Sequence, residues 1–111
     1  MSLNGEKNLE VAVLLDFYSE LLTDKQRDVI DLYYNEDLSL AEIAEHESIT
    51  RQGVRDSIKR GEQVLFEMEN ALRLAEKSRR LSDIAARLRE NSDSLSPEDI
   101  RSAADEISDI L

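Results

Sequence analysis

Thr50, Arg51, Gln52, Arg55, Lys59 and Arg60 fall within eleven residues, and four of the six are cationic. On a helix opening at Thr50, Arg51, Gln52 and Arg55 occupy the first turns. That is where side chains of a helix seated in a DNA groove reach base edges. Arginine can pair bidentately with guanine and glutamine with adenine, each pairing giving ~1–3 kcal/mol of discrimination. Thr50, Lys59 and Arg60 flank that set, where phosphates lie, and a helix N-terminus with a hydroxyl suits a phosphate oxygen. These residue types at this spacing point to nucleic-acid recognition.

The other reactive side chains form no comparable constellation. The single histidine, His46, stands near a predicted helix end, a position for interaction with terminal carbonyls rather than for metal binding or acid–base work. Asp24, Asp28, Asp31, Glu36 and Asp37 lie on helix faces and a loop without metal-ligand spacing. Cysteine is absent, which excludes disulfides, thiolate metal sites and cysteine nucleophiles. The expectation is a protein that is not an enzyme and carries no cofactor or metal.

The elements that position the cationic set follow from periodicity and caps. Ser39-Leu40-Ala41-Glu42 has the form of a capping box opening a short helix to about His46, with Leu40, Ile43 and Ala44 facing inward. Glu47-Ser48-Ile49 is a tight turn, and Thr50 caps the next helix, which buries Val54 and Ile58. Ala44 is small enough for close helix crossing. Ser48 follows it by four residues and Val54 by ten, the spacing of a helix-turn-helix. Upstream, Thr23-Asp24-Lys25-Gln26 is another capping box, for a helix burying Val29, Ile30, Leu32 and Tyr33. A first helix is expected from about Glu6 to Leu22, buried through Leu9, Val13, Phe17 and Leu21, with Leu14, Tyr18 and Leu22 widening the stripe.

Downstream, Ile58, Gly61, Leu65, Met68, Leu72 and Ala75 alternate in steps of three and four with no capping signal before Ser82. This predicts one long helix from about Arg51 to Lys77, with Gly61 as its weak point. Two shorter helices should begin at Ser82 and at Ser96-Pro97, the second burying Ile100, Ala103, Ala104, Ile107 and Leu111. The predicted fold is all-α. Residues 1–5 read as a flexible tail, 6–61 as the helix-turn-helix domain, and 62–111 as a helical extension for dimerisation. A homodimer is expected through Leu65, Met68, Leu72, the first helix and the C-terminal helices.

Composition supports the helical reading. The 111 residues include three glycines, one proline and no tryptophan, with 35% charged residues. The longest apolar stretch, Val11–Leu15, is far too short to span a membrane, and no signal-like N-terminus is present, so a cytoplasmic protein is expected. The net charge of −11 runs against nucleic-acid binding until its distribution is considered. Residues 50–60 carry +3, and the remainder therefore carries −14.

Residues 22–34 (Leu-Thr-Asp-Lys-Gln-Arg through Leu-Tyr-Tyr), Ser39–Glu45, Thr50–Arg55 and Ile58-Lys59-Arg60 together resemble region four of bacterial sigma factors, which reads the promoter −35 element through its last helix. The run Leu15–Tyr18 to Leu21–Gln26, Leu32-Tyr33-Tyr34 and Ile58-Lys59-Arg60 is more similar still to the small bacterial YlxM proteins. The resemblance covers roughly residues 8–75. It implies a sequence-specific DNA-binding regulator, linked through gene neighbourhood to the signal recognition particle pathway. Two alternatives stand beside it. One is an accessory of that particle, binding its RNA or its GTPase. The other is an interaction module that mimics region four without touching DNA. The chain departs from the usual motif at Ser48, where such turns carry glycine, and at Gly53, inside the recognition helix.

Overall fold

A computed structural model describes residues 9–111. The predicted tail and the start of the first helix, Glu6 to Asn8, lie outside the described residues. The described part is all-α: α1 (Leu9–Tyr18), a 3-10 turn (Ser19–Leu21), α2 (Asp24–Tyr34), α3 (Leu40–Glu47), α4 (Arg51–Leu72), α5 (Leu74–Glu90) and α6 (Pro97–Ile110). They form two compact units, one ending at Leu72 and the other spanning Arg73–Leu111.

In the first unit α4 is the common neighbour of α1, α2 and α3. Val54, Ile58, Gly61 and Leu65 recur every three or four residues and are all buried, so one continuous stripe of α4 serves three partners. The stripe belongs to a core shared with Val29, Ile30 and Tyr33 of α2, Ile43 and Ala44 of α3, and a set from the first helix, aliphatic except for Tyr18 and Tyr33. Gly61 permits the close approach of α4 to α2: a Cβ there would stand 2.1 Å from Ile30 Cδ1. The residue that local propensity marks as a weak point is thus required by packing.

Of the stripe expected on the first helix, the widening set Leu14, Tyr18 and Leu22 is buried and the primary set is not. Val11, Leu14, Leu15, Tyr18 and Leu22 are inside, whereas Leu9 (81% exposed), Val13 (49%), Phe17 (40%) and Leu21 (55%) face outward. Steps of four drift about 40° each on a helix of 3.6 residues per turn. The set built on Leu14 holds a tighter arc, and that is the arc the core occupies. Tyr18 closes the arrangement with its hydroxyl, which donates to Glu69 Oε1 at 2.7 Å, and Tyr34 likewise donates to Glu62.

Both expected capping boxes upstream of the cationic helix form. Thr23 Oγ1 accepts from Gln26 N–H at 3.2 Å while Gln26 Oε1 accepts from Thr23 N–H at 3.1 Å. Ser39 and Glu42 repeat the exchange at 3.1 and 2.9 Å.

The long helix forms but ends at Leu72, not Lys77. Arg73 takes the left-handed conformation (φ 54°, ψ 33°), and α5 begins at Leu74 rather than Ser82. No glycine, proline or asparagine marks this break in the sequence. In the second unit α5 packs on α6 through Ile84, Ala103 and Ile110, bordered by Leu81, Leu88 and Ile107. Ser96 caps α6 in a third box with Asp99, and Pro97 opens it. Ile100, Ala104 and Leu111, expected inside, are exposed, and Ile110 is buried instead.

Candidate nucleic-acid interface

The turn between α3 and α4 determines where the cationic residues point. Ser48 adopts φ 56°, ψ 42°, the left-handed conformation that the motif ordinarily assigns to glycine. Ile49 N–H donates to Ala44 O at 3.0 Å and Ser48 N–H to Glu45 O at 3.3 Å, the paired bonds of a Schellman ending. The motif geometry is therefore kept with serine in the strained position, at a cost of about 1–2 kcal/mol. His46 does not serve the carbonyls at this end; its Nδ1 lies 3.0 Å from Glu47 Oε2.

Thr50 then caps α4. Its Oγ1 accepts the Gly53 N–H at 2.9 Å, and its carbonyl accepts from Val54 at 2.9 Å. A Cβ on residue 53 would lie 3.2 Å from that same Oγ1 and 3.7 Å from Ile49 Cδ1. Gly53 thus leaves room for the cap, whereas the distance to Ile49 is an ordinary contact.

From this start, Arg51, Arg55 and Lys59 follow one another at four-residue steps, and Gln52, Asp56 and Arg60 form the adjoining row. Each row spans about 12 Å of helix. Arg51, Gln52, Lys59 and Arg60 are exposed and Arg55 is half-buried. Five of the six sequence-predicted residues thus stand on the first three turns of α4 and Thr50 caps it; Arg51 and Arg55 border the buried stripe of Val54, Ile58 and Leu65, and Gln52, Lys59 and Arg60 lie farther round from it. Among the described residues none of the four cations forms an ion pair. Gln52 is the exception to an unengaged face: its Nε2 donates to Asp56 Oδ1 at 2.9 Å. Asp56 thereby holds the amide along the helix and adds the one negative charge of the patch.

The surroundings are acidic. Residues 1–72 carry seven Lys or Arg against sixteen Asp or Glu, a net −9 that includes the +3 of residues 50–60. At the α3 N-terminus, hydrogen bonds from the Ser39 backbone N–H and then its hydroxyl hold the Glu42 carboxyl below its ordinary value of 4.5. This carboxylate stays ionised and consumed by its cap.

This arrangement, a capped short helix, a left-handed turn and a second helix with an outward cationic row, defines a helix-turn-helix protein. The family model described as "Putative helix-turn-helix protein, YlxM / p13 like" (UPF0122) matches residues 5–106, and the chain belongs to that family. A UPF0122 protein of Clostridium kluyveri is 53% identical over 78 residues, 70% of each chain. One of Acetivibrio thermocellus is 56% identical over 72 residues, 65% of this chain and 62% of its own. One of Halalkalibacterium halodurans is 47% identical over 85 residues, 77% of this chain and 78% of its own.

Sequence reasoning assigned the first helix to the dimer surface but took Leu9, Val13, Phe17 and Leu21 as its buried stripe; these four are exposed. Among the described residues no helix is long and apolar enough to cross a membrane.

Proposed function

We propose that this protein is a cytoplasmic, non-catalytic regulator that binds duplex DNA through α4. The carrying observation is the row Arg51–Arg55–Lys59, without ion-pair partners among the described residues, at the start of a helix that follows a helix-turn-helix turn. Thr50 and the α4 N-terminus meet a phosphate, Arg51, Gln52 and Arg55 meet base edges, and Lys59 and Arg60 meet the flanking backbone. Gln52 must exchange its bond to Asp56 for one to a base. The acidic body repels DNA away from this face, which orients docking and makes affinity fall steeply with salt.

The exposed row of α1 supports a second part of this reading, assembly as a homodimer. Four large exposed apolar side chains, three on α1 and Leu21 in the 3-10 turn that follows it, are more than a soluble monomer usually leaves open in one segment. Leu65 is withdrawn from the expected interface because it is wholly buried within one chain. The proposed seam is Leu9, Val13, Phe17 and Leu21, with exposed Leu72 and half-buried Met68 as further candidates. A dimer would present two copies of α4 to two half-sites. Binding of the signal recognition particle's RNA or GTPase, the reading taken from gene neighbourhood, has no feature of the site in its particular favour.

The test compares Arg55→Ala with Lys59→Ala on a preferred duplex. The first should cost ~1–3 kcal/mol and relax sequence preference, while the second weakens all sequences alike and lowers the salt slope by ~1. Equal and sequence-independent effects would replace base reading with backbone binding. No effect from either would leave α4 without a role in nucleic-acid contact.

A further inference from the structure

Positive charge concentrates in a second place in this acidic chain. Between Arg73 and Arg80 stand four cations, Arg73, Lys77, Arg79 and Arg80, against the single carboxylate Glu76. Beyond them α5 adds Arg87 and Arg89 against Asp83 and Glu90.

What holds these side chains separates them into two groups. Arg73 Nη1 lies 3.2 Å from Glu76 Oε2, and Arg87 is paired with Glu106 of α6. These two have structural employment within the second unit. Lys77, Arg79 and Arg80 form no ion pair among the described residues. Asp83 stands four residues after Arg79 and three after Arg80, the separations at which opposite charges on a helix meet, and neither pair forms. Asp99, on α6, is consumed by the Ser96 cap. Arg79 and Arg80 are exposed and Lys77 is half-buried. Lys77 and Arg80, three residues apart, are neighbours on one side of α5, and Arg79 stands about 100° round from Arg80; all three lie within about 5 Å of helix axis and gain from a partner whose own charges are closely spaced.

A phosphodiester backbone has that property, with one negative charge about every 1.7 Å of a duplex axis. A chain already carrying an outward cationic row on α4 has use for a second one. The position within α5 also fixes the kind of contact. Lys77, Arg79 and Arg80 lie inside the helix, where backbone N–H groups are bonded internally, so only side-chain charge is offered. Such contacts hold a nucleic acid without reading it.

We infer that Lys77, Arg79 and Arg80 form a second, sequence-independent contact surface for a phosphodiester backbone, distinct from the reading face of α4. This rests on the proposed binding of nucleic acid by the chain and adds a surface to it.

The experiment measures salt-dependent binding of the full chain to a mixed-sequence DNA duplex and, in a second arm, to an RNA hairpin. The variants are Lys77→Gln/Arg79→Gln/Arg80→Gln and, with only the two exposed positions changed, Arg79→Gln/Arg80→Gln. Arg101→Gln, an exposed change on α6, and Lys59→Gln on α4 run beside them. The triple variant should lower the salt slope by about 2–3 and the double variant by about 2, at ~0.9 per phosphate contact on duplex DNA. Arg101→Gln should leave it unchanged, and sequence preference should survive in every α5 variant. The arm that shows the loss identifies the source of the backbone. If Lys59→Gln weakens binding while both α5 variants match the wild type in both arms, the inference is overturned and α4 binding stands. If the wild-type chain binds neither nucleic acid, both fall together.

Discussion

Gly61→Ala separates the two physical accounts of α4 most sharply. Local propensity alone says that alanine inside a helix gains ~1 kcal/mol over glycine. The packing says the reverse. The new Cβ would stand 2.1 Å from Ile30 Cδ1 and 3.3 Å from Ile30 Cγ1. Ile30 is 0% exposed, so its terminal methyl can leave only by displacing buried neighbours. Overpacking of this kind costs ~1–3 kcal/mol. The sum is a net destabilisation of ~0–2 kcal/mol where propensity predicts a gain. Ile30→Val removes Cδ1 and costs ~0.5–1.5 kcal/mol alone. In the double variant the clash is largely gone, so it should be at least ~1 kcal/mol more stable than the two single changes added together. Urea unfolding of the four proteins, followed by far-ultraviolet circular dichroism, gives the cycle. A stabilised Gly61→Ala, or an additive cycle, would refute the close approach of α4 to α2.

Two further outcomes follow from the turn and the caps. Ser48→Gly should stabilise the protein by about 1 kcal/mol, because glycine adopts φ 56° without the steric cost that serine bears; an unchanged or lowered urea midpoint would show the turn to be relaxed. The Glu42 carboxyl should titrate below 4.5 by NMR, since the Ser39 backbone N–H, followed by its hydroxyl, favours the charged form. Its folded value is depressed, so its contribution to stability is present above the ordinary carboxylate range and is lost as pH falls through the lowered value. Glu42→Gln should remove that part of the acid dependence, and retention of it would assign it to other carboxylates.

The helix-turn-helix was legible because local signals agree there: capping box, turn spacing, buried set and outward cations each depend on residues close in sequence. The same locality explains the failures. On α1 two apolar sets compete, Leu9-Val13-Phe17-Leu21 and Val11-Leu14-Leu15-Tyr18, and only packing against α4 decides between them. The break at Arg73 has no breaker residue, and so nothing in the local sequence announces it. Gly61 looks like a defect until Ile30, thirty-one residues earlier, is placed opposite it. The clustering of Thr50, Arg51, Gln52, Arg55, Lys59 and Arg60 was readable from their spacing, whereas the bond of Gln52 to Asp56 is one rotamer choice among several that the spacing allows.

The central claim is that the first turns of α4 read DNA sequence. Selection of duplexes from a randomised pool, with the wild-type chain beside Arg51→Ala/Gln52→Ala/Arg55→Ala, tests it most directly. The wild type should enrich a defined site, while the triple variant, still capped by Thr50 and still carrying Lys59 and Arg60, should bind the pool weakly without enriching one. Enrichment of the same site by both proteins, or of none by the wild type, would contradict the account.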